Sequence, residues 1–581
     1  MSTYTYEEMG KIFASRSIKI GTSVIFEDES SLLKAIQGAV NSGSQHIEIA
    51  AMGERGASRC FSLSSSIVSE IRHISELNKV ALSLHASPFL NICGFERNGF
   101  SSEVRNRAIR EAKAAIDFAY TIKAALVVLH PNSFNRSVSE VDPDVFGDDG
   151  AVAYYLVDPR SEEIMSISAQ ESVFIPKQAK DTKGNLLWLL DRDRKHIIDP
   201  VTGKSISRSA VDPDGRIRGE QISFAEYARR MKKEGKAISE AVKAFIHLQR
   251  TGEINRTYLQ IMGAERTLAE AQSRRDRLQD TLDYYRNLDG VLPPEERCRL
   301  ERTMHDSLNS AGIAVPSDIR SVRSLLEDEL RDNQCIIEAS RQSLVQGWPQ
   351  LSDIIEQLRN VEVLEDYGLE RIAGSIAELG EYAISVSDGN VISLSIENLS
   401  FPYMYGSSTK ELIKIIERSR ALLAHRLQEI GYGASESKRL SANCIKVTVD
   451  IGHLNLFRQY YRGGSFHGWV VSQIKDLASS NVISNIHLSD NRGLDDSHLL
   501  VGEGNAPIKE ALSALSSLDY KVFIVIEGAG SPGAIKHVMD LFGIVPRATD
   551  DELGRDFNPR DAVSGLRWKD DPERPPFGKD D

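Results

Sequence analysis

Cysteine is scarce in this chain: its 581 residues include only five, Cys60, Cys93, Cys298, Cys335 and Cys444. They stand singly, in no spacing that suggests a zinc ribbon or a disulfide framework, so reduced and mostly buried thiols are expected. Long apolar runs are also missing. No stretch approaches the roughly 20 residues of a membrane span, and the N-terminus MSTYTYEEMGKIFASRSIKI lacks the continuous apolar region of a signal peptide. Both absences point to the cytoplasm and away from membranes. Positive charge is in deficit, with 70 Lys and Arg against 83 Asp and Glu and a net charge of −13. That balance excludes a wholly basic nucleic-acid coat while leaving a local basic groove open.

What is present is regular. The 41% apolar content supports a large core, and the length allows several domains, although one barrel takes roughly 250 residues. Eight short apolar runs recur, each followed by polar residues and then a helical pattern: SVIFED, HIEIAAMG, VALSLHAS, ALVVLHPNS, VISLSIENLS, IKVTVDIGHLN, ISNIHLSDN and VFIVIEGAG. Near-continuous hydrophobicity is the mark of parallel strands covered on both faces. The alternation predicts an α/β fold, a (β/α)8 TIM barrel, whose functional groups lie at the C-terminal strand ends.

The alternation breaks between the fourth and fifth strands, where some 230 residues intervene. The predicted organisation is a first barrel half over 1–133, an inserted small β-rich subdomain over 134–220, an inserted helical arm over 221–365, a second barrel half over 366–545 and a disordered tail over 546–581. In the arm, Ile254, Tyr258, Ile261, Ala264, Leu268, Ala271, Leu278, Leu282 and Tyr285 follow heptad spacing, with Arg275 in the skipped place. After Pro293-Pro294 a second stretch carries Leu326, Leu330, Ile337 and Leu344, so an antiparallel hairpin is expected. The arm offers a surface for self-association or a protein partner. Its arginine-rich runs such as SRRDR read as solvated helix faces or as nucleic-acid contacts.

Ionisable residues collect at the predicted strand ends. His85 closes the third strand, His130 the fourth, Glu397 the fifth, Asp450 with His453 the sixth, His487 with Asp496 and His498 the seventh, and Glu527 the eighth. Each alone has a structural explanation, as a hydrogen-bonded core group or a helix cap. Together they do not, because five of only 13 histidines sit at this rim. Convergent carboxylates and imidazoles need cations to hold them. The mixture suits zinc, manganese or iron, and nine ligands are too many for one ion. In NIHLSDNRGLDDSHLLVGEGN, residues 485–505, Asp490 falls outside this set and is expected to orient its neighbours.

The segments LHASPF, LHPNS, IEN, VDIGHLN, IHLSDN, DSHLLVGEGN and VIEG, in this order, resemble the xylose-isomerase-like barrels and, within them, the endonuclease IV family of abasic-site nucleases. The resemblance covers about 20–133 and 385–545. It implies hydrolysis of the DNA backbone at abasic or damaged sites by two or three zinc ions. His85 and His130 would hold the first with a bridging Glu397; Asp450, His487 and Glu527 would complete the second; His453, Asp496 and His498 would form the third. Glu397 and Glu527 would carry the catalysis. Loops that enter the minor groove would offer Arg55 and Arg59 from MGERGASR, and Phe89 with Leu90 as an apolar wedge.

The same superfamily contains sugar and sugar-phosphate isomerases and epimerases. These need one metal on Glu397, Asp450, His487 and Glu527, with the two glutamates as general bases. His85, His130 and the Asp496/His498 pair have no required part in that scheme and favour the nuclease. A third reading, a scaffold with a structural metal, would be marked by lost ligands, and none is lost.

Overall fold

The computed structural model describes residues 5–15, 18–25, 29–51, 63–97, 99–138, 141–146, 153–168, 170–214, 216–236, 238–289, 291–310, 322–358, 361–387, 391–515, 522–527 and 532–543. Eight parallel strands close on themselves: β1 (Lys19–Ile25), β2 (His46–Ala50), β3 (Ala81–His85), β4 (Leu126–Leu129), β5 (Ser393–Glu397), β6 (Ile445–Asp450), β7 (Ile483–Leu488) and β8 (Phe523–Ile526). Their order around the barrel is β1-β8-β7-β6-β5-β4-β3-β2, so sequential strands are neighbours and β8 seals against β1. This is the predicted (β/α)8 barrel.

β1 begins four residues before the apolar run SVIFED. Its polar first half pairs with β2 and β8, and Gly21 permits the approach, since a Cβ there would lie 1.6 Å from the His46 carbonyl oxygen. Helices follow the strands, among them Ser102–Thr121 after β3 and Thr409–Glu429 after β5. Serine caps fix where they start. Ser408 accepts from the Glu411 amide while Glu411 reaches back to the Ser408 amide, closing a capping box.

The chain divides into two compact units, described residues of Met1–Val152, Glu162–Ile164 and Leu364–Asp581 forming one, and Ala153–Ser161 with Met165–Val363 the other. The segment after 134 therefore stays with the barrel for some way. Phe134 stacks on Tyr405 at 5.0 Å, and buried Arg136 forms an ion pair with Glu411 at 2.6 Å. The excursion ends where helix Leu364–Val386 resumes the pattern as the helix that follows β4.

In the second unit, turns between short strands are made by aspartates. Asp181 Oδ1 accepts from the amides of Lys183 and Asn185, and Asp191 Oδ1 from those of Asp193 and Lys195. Two long helices follow, Ile238–Asp289 and Val322–Gln357. The first, at 52 residues, extends about 78 Å. They run antiparallel, as Arg274 and Arg286 near the end of the first pair with Glu329 and Glu327 near the start of the second. Ile254, Tyr258, Ile261, Ala271, Leu278, Leu282 and Tyr285 are buried. A third helix, Pro294–Ser310, sits between the two, and its Leu300 and Met304 pack on the cluster of Leu278, Leu282, Tyr285, Val322 and Leu326. The second proline of the Pro293-Pro294 pair starts this helix, because proline is preset for the first helical position.

The expectation of mostly buried thiols fails for two of the four described cysteines. Cys93 and Cys444 are buried, but Cys298 and Cys335 are exposed, because both lie on outward faces of the arm's helices. Among the described residues no helix is long and apolar enough to cross a membrane. Cys60, Arg55, Arg59 and the tail 546–581 lie outside the described residues.

Candidate metal centre

β2 and β7 are separated in the sheet by β1 and β8, so side chains from these two strands meet only through the barrel's interior. They do: Asn485 Nδ2 donates to Glu48 Oε2 at 3.2 Å. The layer beneath the rim is polar, with Glu48, Ser83, Ser395, Thr448 and Asn485 all fully buried. Barrels of this fold usually fill that layer with branched apolar side chains. A polar floor marks a site above it.

Glu397, at the end of β5, is the hub. Its Oε2 lies 3.0 Å from His85 Nε2 and 3.2 Å from His130 Nε2, while its Oε1 lies 3.3 Å from His487 Nδ1 and 3.6 Å from His453 Nδ1. One carboxylate thus faces two sets of imidazoles with two different oxygens. Three groups have ligand atoms within 4.8 Å of one another in the manner of a metal site: His85, His130 and Glu397; Glu397, Asp450, His487 and Glu527; and His453, Asp496 and His498. A fourth grouping joins His85, His487 and Glu527 to Glu48, which sequence reasoning missed. The nine residues singled out from the sequence all stand at this rim.

The backbone around them is built for placement. Asn398 Oδ1 accepts the Asp450 amide at 2.8 Å and its Nδ2 donates to the Asp450 carbonyl at 3.0 Å, locking β6 to β5 at their ends. Asp450 Oδ1 caps the helix Ile451–Asn455 through the His453 amide, and the Ser489 hydroxyl donates to it at 3.0 Å. Gly452 lets that serine in: a Cβ there would sit 2.1 Å from Ser489 Oγ. Gly452→Ala should therefore cost about 1–3 kcal/mol by overpacking and weaken metal binding by displacing Ser489 from Asp450, read by thermal unfolding and metal titration.

Asp490 does not approach the ligands. Its two oxygens accept amides of Asn491, Gly502, Gly504 and Ala506, and so fold the glycine-rich loop that follows His498. His498 itself holds a left-handed backbone at φ +46°, a conformation costly for a non-glycine residue and common at functional sites.

Charge is balanced within the cluster. Burial opposes the charged form of His85, but its hydrogen bond to Glu397 and the surrounding carboxylates outweigh it and raise the imidazole to about 9. His453 and His487 are raised well above the ordinary value by the same contest. The Asp496 hydrogen bond lifts His498 to about 9. Burial raises Asp450 to about 7, whereas Glu397 is held well below its ordinary value by His487 and His130 despite burial. Below the floor, burial pushes His46 down to about 3, so it adds no cation; neither of its ring nitrogens has a hydrogen-bond partner among the described residues.

The rim loops are laced together. Asn132 Nδ2 donates to the Leu90 carbonyl at 2.8 Å and also holds the Pro88 carbonyl. Phe89, between them, is 66% exposed, whereas Leu90 is 6% exposed. The expected two-residue wedge is thus one residue: Leu90 pins the loop into the core, and Phe89 projects. After β5, Phe401 and Tyr403 are also exposed and stack at 5.4 Å.

No known family's sequence profile matches this chain. An uncharacterized protein of Methanocaldococcus jannaschii is 24% identical over 177 residues, 30% of this chain. The chain spans about half the length of that curated relative. Among solved structures, a D-tagatose 3-epimerase-like protein aligns at TM-score 0.38 and 14% identity, covering 90% of this chain and 98% of that one. D-psicose 3-epimerase from Clostridium cellulolyticum aligns at 0.35 and 11%, covering 95% and 98%. Endonuclease IV from Thermus thermophilus aligns at 0.34 and 11%, covering 90% and 97%. The barrel itself stands on its own strand order.

Proposed function

We propose that this protein is a metal-dependent phosphodiesterase that cleaves the DNA backbone at abasic or damaged sites, using two or three ions, most suitably zinc. The observation that carries the reading is Glu397, with one oxygen 3.0 Å from His85 and 3.2 Å from His130 and the other 3.3 Å from His487. So placed, Glu397 would be able to hold two ions, one through each oxygen. The donor set of imidazoles and carboxylates without thiolate fits zinc, and also manganese or iron. Ions held there would activate water and stabilise the charge that develops on the attacking and leaving oxygens.

The chain's own side chains would do the rest. Glu397 and Glu527 would hold negative charge where ions would be bound, and Asp450 is fixed by Asn398 and Ser489. Asn132 holds Phe89 out from the rim, where an apolar ring can enter a gap in a base stack. Arg55 and Arg59, which follow β2 in the sequence, remain candidates for phosphate contact.

A second reading has its own observation: Glu397, Asp450, His487 and Glu527 form one of the groups that converge within 4.8 Å, and these four would suffice for a one-metal sugar isomerase or epimerase in which the two glutamates move a proton beside a carbonyl. Two measurements separate the readings. A duplex carrying an abasic analogue, assayed beside a panel of ketoses, should be nicked while the sugars stay unchanged; sugar turnover without scission sinks the nuclease. Elemental analysis should find two or three ions per chain, and replacing His85 and His130 by Ala should remove one.

A further inference from the structure

We propose that Glu48 is a positioning residue for this centre: it takes the Nε2–H of His487 and thereby turns the Nδ1 lone pair of that imidazole toward Glu397 and Glu527. The inference rests on the metal-centre reading above. β2 supplies no ligand in the sets derived from the sequence, yet it sends a fully buried carboxylate to the barrel axis. Glu48 Oε1 lies 3.2 Å and Oε2 3.4 Å from His487 Nε2. On the other side of the ring, Nδ1 lies 3.1 Å from Glu527 and 3.3 Å from Glu397. The imidazole is held between a carboxylate below and the ligand cluster above.

Two other imidazoles show the same construction with neutral partners. His85 Nδ1–H donates to the Ala86 carbonyl at 2.7 Å, leaving Nε2 for Glu397. His453 Nδ1–H donates to the Asn398 carbonyl at 2.7 Å, leaving Nε2 for Asp496. An outer hydrogen bond of this kind fixes the tautomer and raises ligand basicity, and its loss commonly weakens metal binding by about 10- to 100-fold. His487 differs in leaning on a charged acceptor.

The carboxylate is itself held. Ser83 Oγ–H and Asn485 Nδ2–H each donate to Glu48 Oε2 at 3.2 Å. The Asn485 amide nitrogen, itself a donor, also lies 3.1 Å from His487 Nε2, so amide and carboxylate compete for that nitrogen, and in the proposed tautomer its proton goes to Glu48. These donors hold Oε2 and so orient the carboxylate, while Oε1, with no hydrogen-bond donor of its own among the described residues, faces Nε2 at 3.2 Å.

The test is a Co2+ titration of the full chain stripped of metal, followed by d–d absorption and so independent of turnover, on wild type, E48Q, E48A and H487A. The expected result is an unchanged number of Co2+ ions in E48Q and E48A, with affinity lower by about tenfold in E48Q, which keeps a neutral acceptor, and nearer 100-fold in E48A. H487A should lose an ion. If E48A fails to fold, the isosteric E48Q carries the measurement. Unchanged affinity and spectrum in E48Q and E48A, even with a lowered unfolding temperature, would overturn the proposal and leave Glu48 a packing residue. Loss of a whole ion in E48Q would also overturn it, making Glu48 a ligand. Wild type binding no Co2+ would overturn the metal-centre reading itself, an outcome distinct from the other two.

Discussion

Glu397→Gln should abolish turnover while leaving the barrel folded. The substitution keeps the shape but puts an amide where one oxygen now faces His85 and His130 at 3.0 and 3.2 Å or where the other faces His487 at 3.3 Å. Both imidazole sets lose their anionic partner, and whichever way the amide turns, one of them also meets an NH2 donor in place of an acceptor oxygen. Removing a shared ligand withdraws several kcal/mol of charge stabilisation, which at about 1.4 kcal/mol per decade is a fall of about 10³-fold or more in kcat. Elemental analysis of the variant should find at least one ion fewer per chain. A variant with the full ion count and near-normal kcat would show that Glu397 bridges nothing. This substitution tests the site and does not choose between nuclease and epimerase, since the carboxylate serves both; the abasic duplex assayed beside ketoses does.

Metal loading should release protons, and its affinity should climb steeply from pH 6.5 to 9. In the metal-free chain, His85 and His498 are raised to about 9, and His453 and His487 lie well above their ordinary 6.5, in each case against the effect of burial, which in His498 is smaller than the Asp496 hydrogen bond. These four imidazoles are therefore cations at neutral pH and neutralise the carboxylates around them. A folded value above the unfolded one means that the stability they supply is fully present below about pH 6.5 and lost as pH rises through about 9. Metal binding requires the neutral imidazole, so ions replace protons over this same window. Calorimetric titration with zinc at neutral pH, in buffers of different ionisation enthalpy, should show about four protons released on full loading, with a further fraction from Asp450, which burial raises to about 7. The gap in unfolding temperature between loaded and metal-free protein should widen toward pH 9. Release of less than one proton would mean that these histidines are not the ligands.

The strands and their functional ends were legible for the same reason. A parallel strand covered on both faces must be almost wholly apolar, so a histidine or carboxylate at its end stands out. His85, Glu397, Asp450 and His487 interrupt apolar runs, and all four are buried at the rim. Glu48 gives no such signal. In HIEIA it looks like one polar position of a half-solvated strand, and only closure of the barrel carries it across to β7. Leu90 and Phe89 are adjacent and both apolar, so the sequence cannot say which projects; the Asn132 hydrogen bonds to the neighbouring carbonyls do. The exposed thiols of Cys298 and Cys335 depend likewise on which helix face turns outward.

Local chemistry alone determined the element order, the heptad seam, the interruption after the fourth strand and the residue types that gather at one rim. These follow from periodicity and turn residues, which act between positions near in the chain. The tertiary structure decided what those residues do to one another. That Glu397 divides its oxygens between two imidazole sets, and that Glu48 stands behind His487, are relations between strands hundreds of residues apart, with His85 and Glu397 separated by 312 positions. No local preference encodes such a distance. It is set when eight strands close a ring and bury a polar floor inside it.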